Sequence, residues 1–218
     1  MTRRRFPVGK TLLYVFMSLW ALTTIYPFIW VILNSFKPRG LIRSDTFSLP
    51  IGDKFTLENY VTAFKRVDIG TAYVNSIVIS GAVTVVVMVL AGLAAYAMVR
   101  YSFRLRGFLH SMIIASMMFP VFSTIIPVFR MESSWGIVNT GSIWLTRLSV
   151  VLPQIAGNLS FAIIVLMGFI RSLPVDLEEA AYLEGYNVYQ IFFRIIMPLA
   201  KPSFATVGIF TFLWSYND

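Results

Sequence analysis

Four stretches of this chain run for more than twenty residues without one Asp, Glu, Lys or Arg. They lie between Lys10 and Lys37 (26 residues), Asp68 and Arg100 (31), Arg106 and Arg130 (23), and Arg147 and Arg171 (23). A hydrocarbon core of about 30 Å needs roughly 20 helical residues to cross it, so each run is long enough to span. A fifth run, Pro202 to Asn217, gives 16 uncharged residues before Asp218. Backbone polar groups in lipid must be satisfied internally, so such runs fold as helices. The expected fold is an all-α membrane protein, a multi-span helical bundle in a single domain over 1–218. The spans are expected at 11–34, 74–99, 108–129, 149–170 and 202–217, with a cytoplasmic loop over 171–201.

Composition agrees. Only 13% of the 218 residues are charged and 57% are hydrophobic, whereas a soluble domain carries about 25% charge. The formal charge of +8 comes from basic residues in the loops between apolar runs. That pattern faces an anionic leaflet and gives no reason to invoke nucleic acid. The chain has no cysteine and one histidine, His110, which excludes disulfides, thiolate sites and His-pair zinc chemistry; no metal or cofactor is expected. His110, near Arg106 at the inner end of the third run, reads as an interfacial histidine rather than a proton relay.

Arg3, Arg4 and Arg5 precede an apolar run too long for a cleaved signal, and they read as an anchor holding the N-terminus in the cytoplasm. On that orientation ten basic residues face inward and eight outward, with the dense turn Arg100–Arg104–Arg106 inside. The outer segment from Lys37 to Asp68 contains a short helix opened by Thr56, with Leu57, Tyr60, Val61 and Phe64 on one face packed on the bundle or at the interface. Trp135 and Trp144 suit the aromatic belt.

Between the fourth and fifth runs the chain changes character. Ser172 and Pro174 are placed to open a helix, with Asp176, Glu178 and Glu179 at its positive end. Gly185 stops it in the left-handed conformation. Asn187 and Gln190 are spaced as a capping box for a second helix. In that helix Val188, Ile191, Phe192, Ile195 and Ile196 form one apolar stripe, and Pro198 ends it. The small residues Ala180 and Ala181, beside Glu179, offer close approach to a partner. Periodicity alone also allows an interfacial helix with no partner.

The spacing Glu179-Ala180-Ala181, three residues, Gly185, nine residues, Ile195-Ile196-Met197-Pro198 resembles the EAA loop of ABC importer permeases, whose pattern is E-A-A, three, G, nine, I-x-L-P. Met197 stands where leucine is usual, and Glu184 where aspartate commonly precedes the glycine. The rest of the chain is similar to the carbohydrate-uptake, maltose-type branch. Thr56-Leu57-Glu58-Asn59-Tyr60, Asn75-Ser76, Arg100-Tyr101-Ser102-Phe103 and Phe169-Ile170-Arg171-Ser172-Leu173-Pro174 carry that likeness. The resemblance implies a multi-pass permease of the cell membrane, for a sugar or oligosaccharide. Its implied partners are a second homologous permease, two cytoplasmic ATPase subunits, an extracellular solute-binding protein and membrane lipid. It also makes Glu179, Ala180, Ala181, Gly185, Ile195 and Pro198 the ATPase-coupling residues. Members of this branch have six spans, and Trp214-Ser215-Tyr216-Asn217-Asp218 resembles the outer end of the fifth. The chain is therefore expected to be truncated before the last span.

No G-x-x-x-x-G-K-[ST] phosphate loop is present, so ATP hydrolysis is expected in a partner and no catalytic residue in this chain. An ion-coupled carrier would place ionisable residues inside its spans, and the uncharged runs hold none. A membrane scaffold or sensor fits the composition but leaves the EAA spacing without a purpose. Gln154, Asn158 and Ser160 serve equally as helix–helix hydrogen-bonding groups or as sugar contacts. Gly81, Gly92 and Ala95 read as points where helices approach.

Overall fold

The structure is a computed structural model that describes residues 8–218. The arginines at 3–5, counted above for the inner side, lie outside the described residues. The chain divides into two compact units, the first running to Thr71 and the second from Ala72.

The first unit opens with α1, Val8–Ser35. It is apolar all round, and side chains such as Leu13, Trp20 and Phe28 are exposed, as suits a helix meeting lipid or other membrane helices. Helix α2, Arg39–Ser44, and α3, Glu58–Arg66, follow. They are organised around Lys37, which is fully buried although the sequence counts it as an outer loop charge. Its ammonium donates to the carbonyls of Asp45 (3.0 Å) and Thr46 (2.8 Å), whose dipoles offset the desolvation of the charge. Asn59 Nδ2 donates to the carbonyls of Ser35 and Lys37, and the Phe36 ring lies against Phe55 and Tyr60. Thr56 Oγ1 accepts from the Glu58 N–H at 3.1 Å, but the N-cap position of α3 is the next residue, Leu57. All four residues of the expected apolar face, Leu57, Tyr60, Val61 and Phe64, are exposed, although the Tyr60 ring lies 5.3 Å from that of Phe36.

In the second unit α4, Ile69–Arg100, and α7, Ile143–Ser172, are long and apolar enough to cross a membrane. The third uncharged run is divided. Helix α5 covers Arg106–Ser116 and α6 covers Val121–Ser134. The break falls at Pro120, because a proline disfavours helical backbone in the residue before it. Met117 and Met118 close α5 with short-range bonds to the carbonyls of Ile114 and Ala115. After α7 come α8, Asp176–Leu183, α9, Val188–Leu199, and α10, Lys201–Asn217. The axes of α9 and α10 meet at 81°.

The core lies where α4, α7, α9 and α10 meet, and includes Val87, Ala91, Leu166, Ile170, Ile191, Ile196 and Val207. Gly92 is required there: a Cβ on it would meet the Phe204 ring at 2.8 Å and the Phe192 ring at 3.0 Å. Ala95 is fully buried, but a Cβ at Gly81 would meet nothing within 4 Å, so Gly81 is not a point of close approach.

Two pairs of polar span residues join helices. Ser116 and Ser160 bond through their hydroxyls at 2.5 Å, tying α5 to α7, and Ser215 Oγ donates to Gln154 Oε1, tying α10 to α7. Asn158 Nδ2 donates to the Gln154 carbonyl one turn back. At the far end of α4, the Arg147 guanidinium donates twice to Asn75 Oδ1 and lies 5.2 Å from the Trp144 ring centre.

Candidate functional site

The segment between α7 and α10 folds as two helices joined by a tight turn, and each boundary has a local cause. Gly185 has φ +85, where a side chain would be strained. Around it the Gly185 N–H donates to the Tyr182 carbonyl and the Tyr186 N–H to the Ala181 carbonyl, both at 3.0 Å. This pair of bonds is the Schellman stop of α8. Two residues on, the capping box forms as the spacing predicts. Asn187 Oδ1 accepts from the Gln190 N–H, and Gln190 Oε1 accepts from the Asn187 N–H, each at 2.9 Å. The turn is thus over-determined from both sides.

Two boundaries differ from expectation. Ser172 does not open α8. It closes α7 instead, its hydroxyl donating to the Phe169 carbonyl, and α8 starts at Asp176 without a side-chain cap. Pro174 lies in the joint before it. Nor does Pro198 end α9. The proline lacks the N–H that would pair with the Arg194 carbonyl. The helix widens to a π turn over Phe192–Ile196, with the Met197 N–H reaching the Phe192 carbonyl, and continues to Leu199. The sharp bend comes at Ala200.

The motif residues divide between two surfaces. Glu179, Ala180 and Gly185 are exposed, beside Leu177, Tyr182 and a 91% exposed Leu183. Ala181, read from the sequence as facing a partner, is buried at 4% in the chain's own core. Ile191, Phe192 and Ile196 are buried, Ile195 is half-buried, and Pro198 is exposed. Helix α9 therefore packs one face into the bundle and leaves Tyr189, Phe193 and Arg194 exposed on the other, while the exposed motif residues Glu179, Ala180 and Gly185 lie on α8 and the turn.

Behind α8 is a contact that the sequence does not advertise. Arg100 Nε donates to Glu178 Oε1 at 2.5 Å, and Arg100 Nη2 to the Leu173 carbonyl at 2.9 Å. Tyr96 donates its hydroxyl to Glu178 Oε2 at 2.8 Å. The pair is nearly withdrawn from water, with side-chain exposures of 10% and 5%. Removing one partner of such a pair costs roughly 3–5 kcal/mol, because the other charge is left buried alone. The Tyr96 ring lies 5.6 Å from Phe192 and 5.9 Å from Tyr101. The hydroxyls of Tyr101 and Tyr182 meet at 2.8 Å, and this hydrogen bond raises the Tyr182 pKa. The available signal was spacing: Tyr96 and Arg100, four apart, share a helix face. Nothing in the sequence pairs them with Glu178 rather than with Glu179.

Residues 88–218 match the family described as binding-protein-dependent transport system inner membrane component. The chain is 35% identical over 205 residues to the diacetylchitobiose uptake system permease protein NgcG of Streptomyces coelicolor, covering 94% of this chain and 65% of that protein. It is 33% identical to the trehalose transport system permease protein SugB of Mycobacterium tuberculosis, covering 89% of this chain and 68% of that one. It thus spans about two thirds of the length of these relatives. The fold matches a chain of a bacterial ABC transporter involved in the import of the acidic polysaccharide alginate, with a TM-score of 0.80 and 23% identity over 100% of this chain and 74% of that one. With its apolar helices and the loop just described, this chain belongs to the family of binding-protein-dependent transport system inner membrane components.

Proposed function

We propose that the chain is the permease subunit of an ATP-driven importer that receives a sugar or oligosaccharide from an extracellular solute-binding protein. It would pair with a second, homologous permease to form the path, and two cytoplasmic ATPase subunits would supply the energy. The N-terminus and the 171–201 loop would face the cytoplasm. The single observation that carries this reading is the outer face of α8. A helix fixed by a Schellman stop and a buried ion pair presents Glu179, Ala180 and Leu183 to a partner while its opposite side is anchored in the bundle. The names of NgcG and SugB support the sugar class. Gly185 acts by stopping α8, and Ile195 and Pro198 by seating and widening α9; Glu179 and Ala180 make the contact itself.

The experiment is co-purification and uptake with Glu179→Ala and Ala180→Phe. Both variants should insert normally and lose ATPase association and uptake together. A charge-assisted hydrogen bond at such a contact is worth roughly 1.5–3 kcal/mol. Normal association and normal uptake in both variants would remove the basis of the reading.

A further inference from the structure

We propose that Arg100 and Glu178 are positioning residues for transport, forming a latch that makes α4 move with α8. The inference rests on the importer reading above. The chain itself connects α8 to α7 through the short joint Leu173–Pro174–Val175, and α8 begins there without a side-chain cap. Such a joint permits α8 to pivot. What prevents the pivot is the inner end of α4. Both carboxylate oxygens of Glu178 are held, one by Arg100 and one by Tyr96, so the group is fixed in two directions. Arg100 also reaches the Leu173 carbonyl, and so grips the joint and the helix at once.

The same end of α4 holds the second half of the loop. Tyr96 packs on Phe192, and Phe192 in turn lies against Gly92. A displacement of α8 therefore reaches α4 by direct contact and need not travel along the backbone through α7. Among the described residues this is the one buried ion pair, the other pair, Lys54–Asp45, being on the surface. Burial shields it from salt, so its hold does not vary with ionic strength as a surface pair does.

The test uses the full chain in membranes with its ATPase subunits. Because the chain contains no cysteine, spin labels at cysteines replacing the exposed Ser102 and Glu184 report the position of α8 against the end of α4. The unaltered pair of helices should give one narrow distance. Glu178→Gln should broaden it and lower uptake at least tenfold, while ATPase association and ATP hydrolysis persist. Tyr96→Phe keeps the ring on Phe192 and removes one oxygen, so it should give the same uncoupling at a smaller uptake loss, and it decides the matter if Glu178→Gln fails to insert. A narrow distance or normal uptake in the deciding variant overturns the latch and leaves the importer reading intact. If the unaltered chain recruits no ATPase, the importer reading falls and the transport role of the latch falls with it.

Discussion

The hydroxyl of Tyr96 lies 2.8 Å from Glu178 Oε2, joining a residue of α4 to one 82 positions later in α8. The ring of the same tyrosine packs on Phe192 in α9. One side chain thus touches both halves of the loop that the EAA spacing marks out. The loop is part of the bundle on one side and free on the other, and the predictions below separate the two sides.

Replacing Ala181 and replacing Ala180 should have different consequences. Ala181→Phe forces a ring into a packed core, which costs about 1–3 kcal/mol, so thermal stability in detergent should fall. Ala180→Phe lies on the exposed face and should leave stability unchanged while ATPase association falls. Equal melting temperatures for the two variants would show that Ala181 is not packed as described.

Gly185 holds φ +85, and a β-branched residue is strained there regardless of space. Gly185→Val should cost on the order of 1 kcal/mol or more and loosen the end of α8. Hydrogen exchange at the Gly185 and Tyr186 amides, which close the Schellman stop, should rise in an alanine variant and rise further in the valine variant.

Orientation is checked by single cysteines at two exposed sites. An impermeant thiol reagent applied to intact cells should label Ser44→Cys in the first unit and spare Tyr189→Cys at the start of α9. Tyr189 is exposed, and its side chain takes no part in the capping box formed by Asn187 and Gln190. Labelling of Tyr189→Cys in intact cells would invert the proposed topology.

The pair Asp45–Lys54 gives a pH signature to the first unit. The Lys54 hydrogen bond, helped by Ser48, holds the Asp45 pKa below its ordinary value, and Asp45 raises that of Lys54. A lowered carboxylate pKa adds stability above its ordinary range and loses it as pH falls through the lowered value. A raised lysine pKa adds stability below its ordinary range and loses it as pH rises through the raised one. Protection of the 45–54 amides from hydrogen exchange should therefore be flat between these limits and decline outside them. Asp45→Asn should abolish the acid decline, and since the pair is exposed, high salt should shrink it.

Much of this protein is determined locally, and the sequence by itself determines that part. Uncharged runs must be helical in lipid because no water is there to satisfy the backbone, and the turn at Gly185–Asn187 follows from one left-handed glycine and one capping box. The EAA spacing needs nothing beyond the order of its residues. Tertiary packing decided the rest. Lys37 reads as an outer loop charge, yet two backbone carbonyls eight and nine residues on draw it inside. Pro198 reads as a stop, yet core packing of Ile191, Phe192 and Ile196 carries the helix past it with one widened turn. Between adjacent Glu178 and Glu179, only the approach of α4 determined which carboxylate is buried with Arg100 and which faces out. Local rules act through neighbours along the chain, whereas burying a charge depends on partners brought together from distant parts of it.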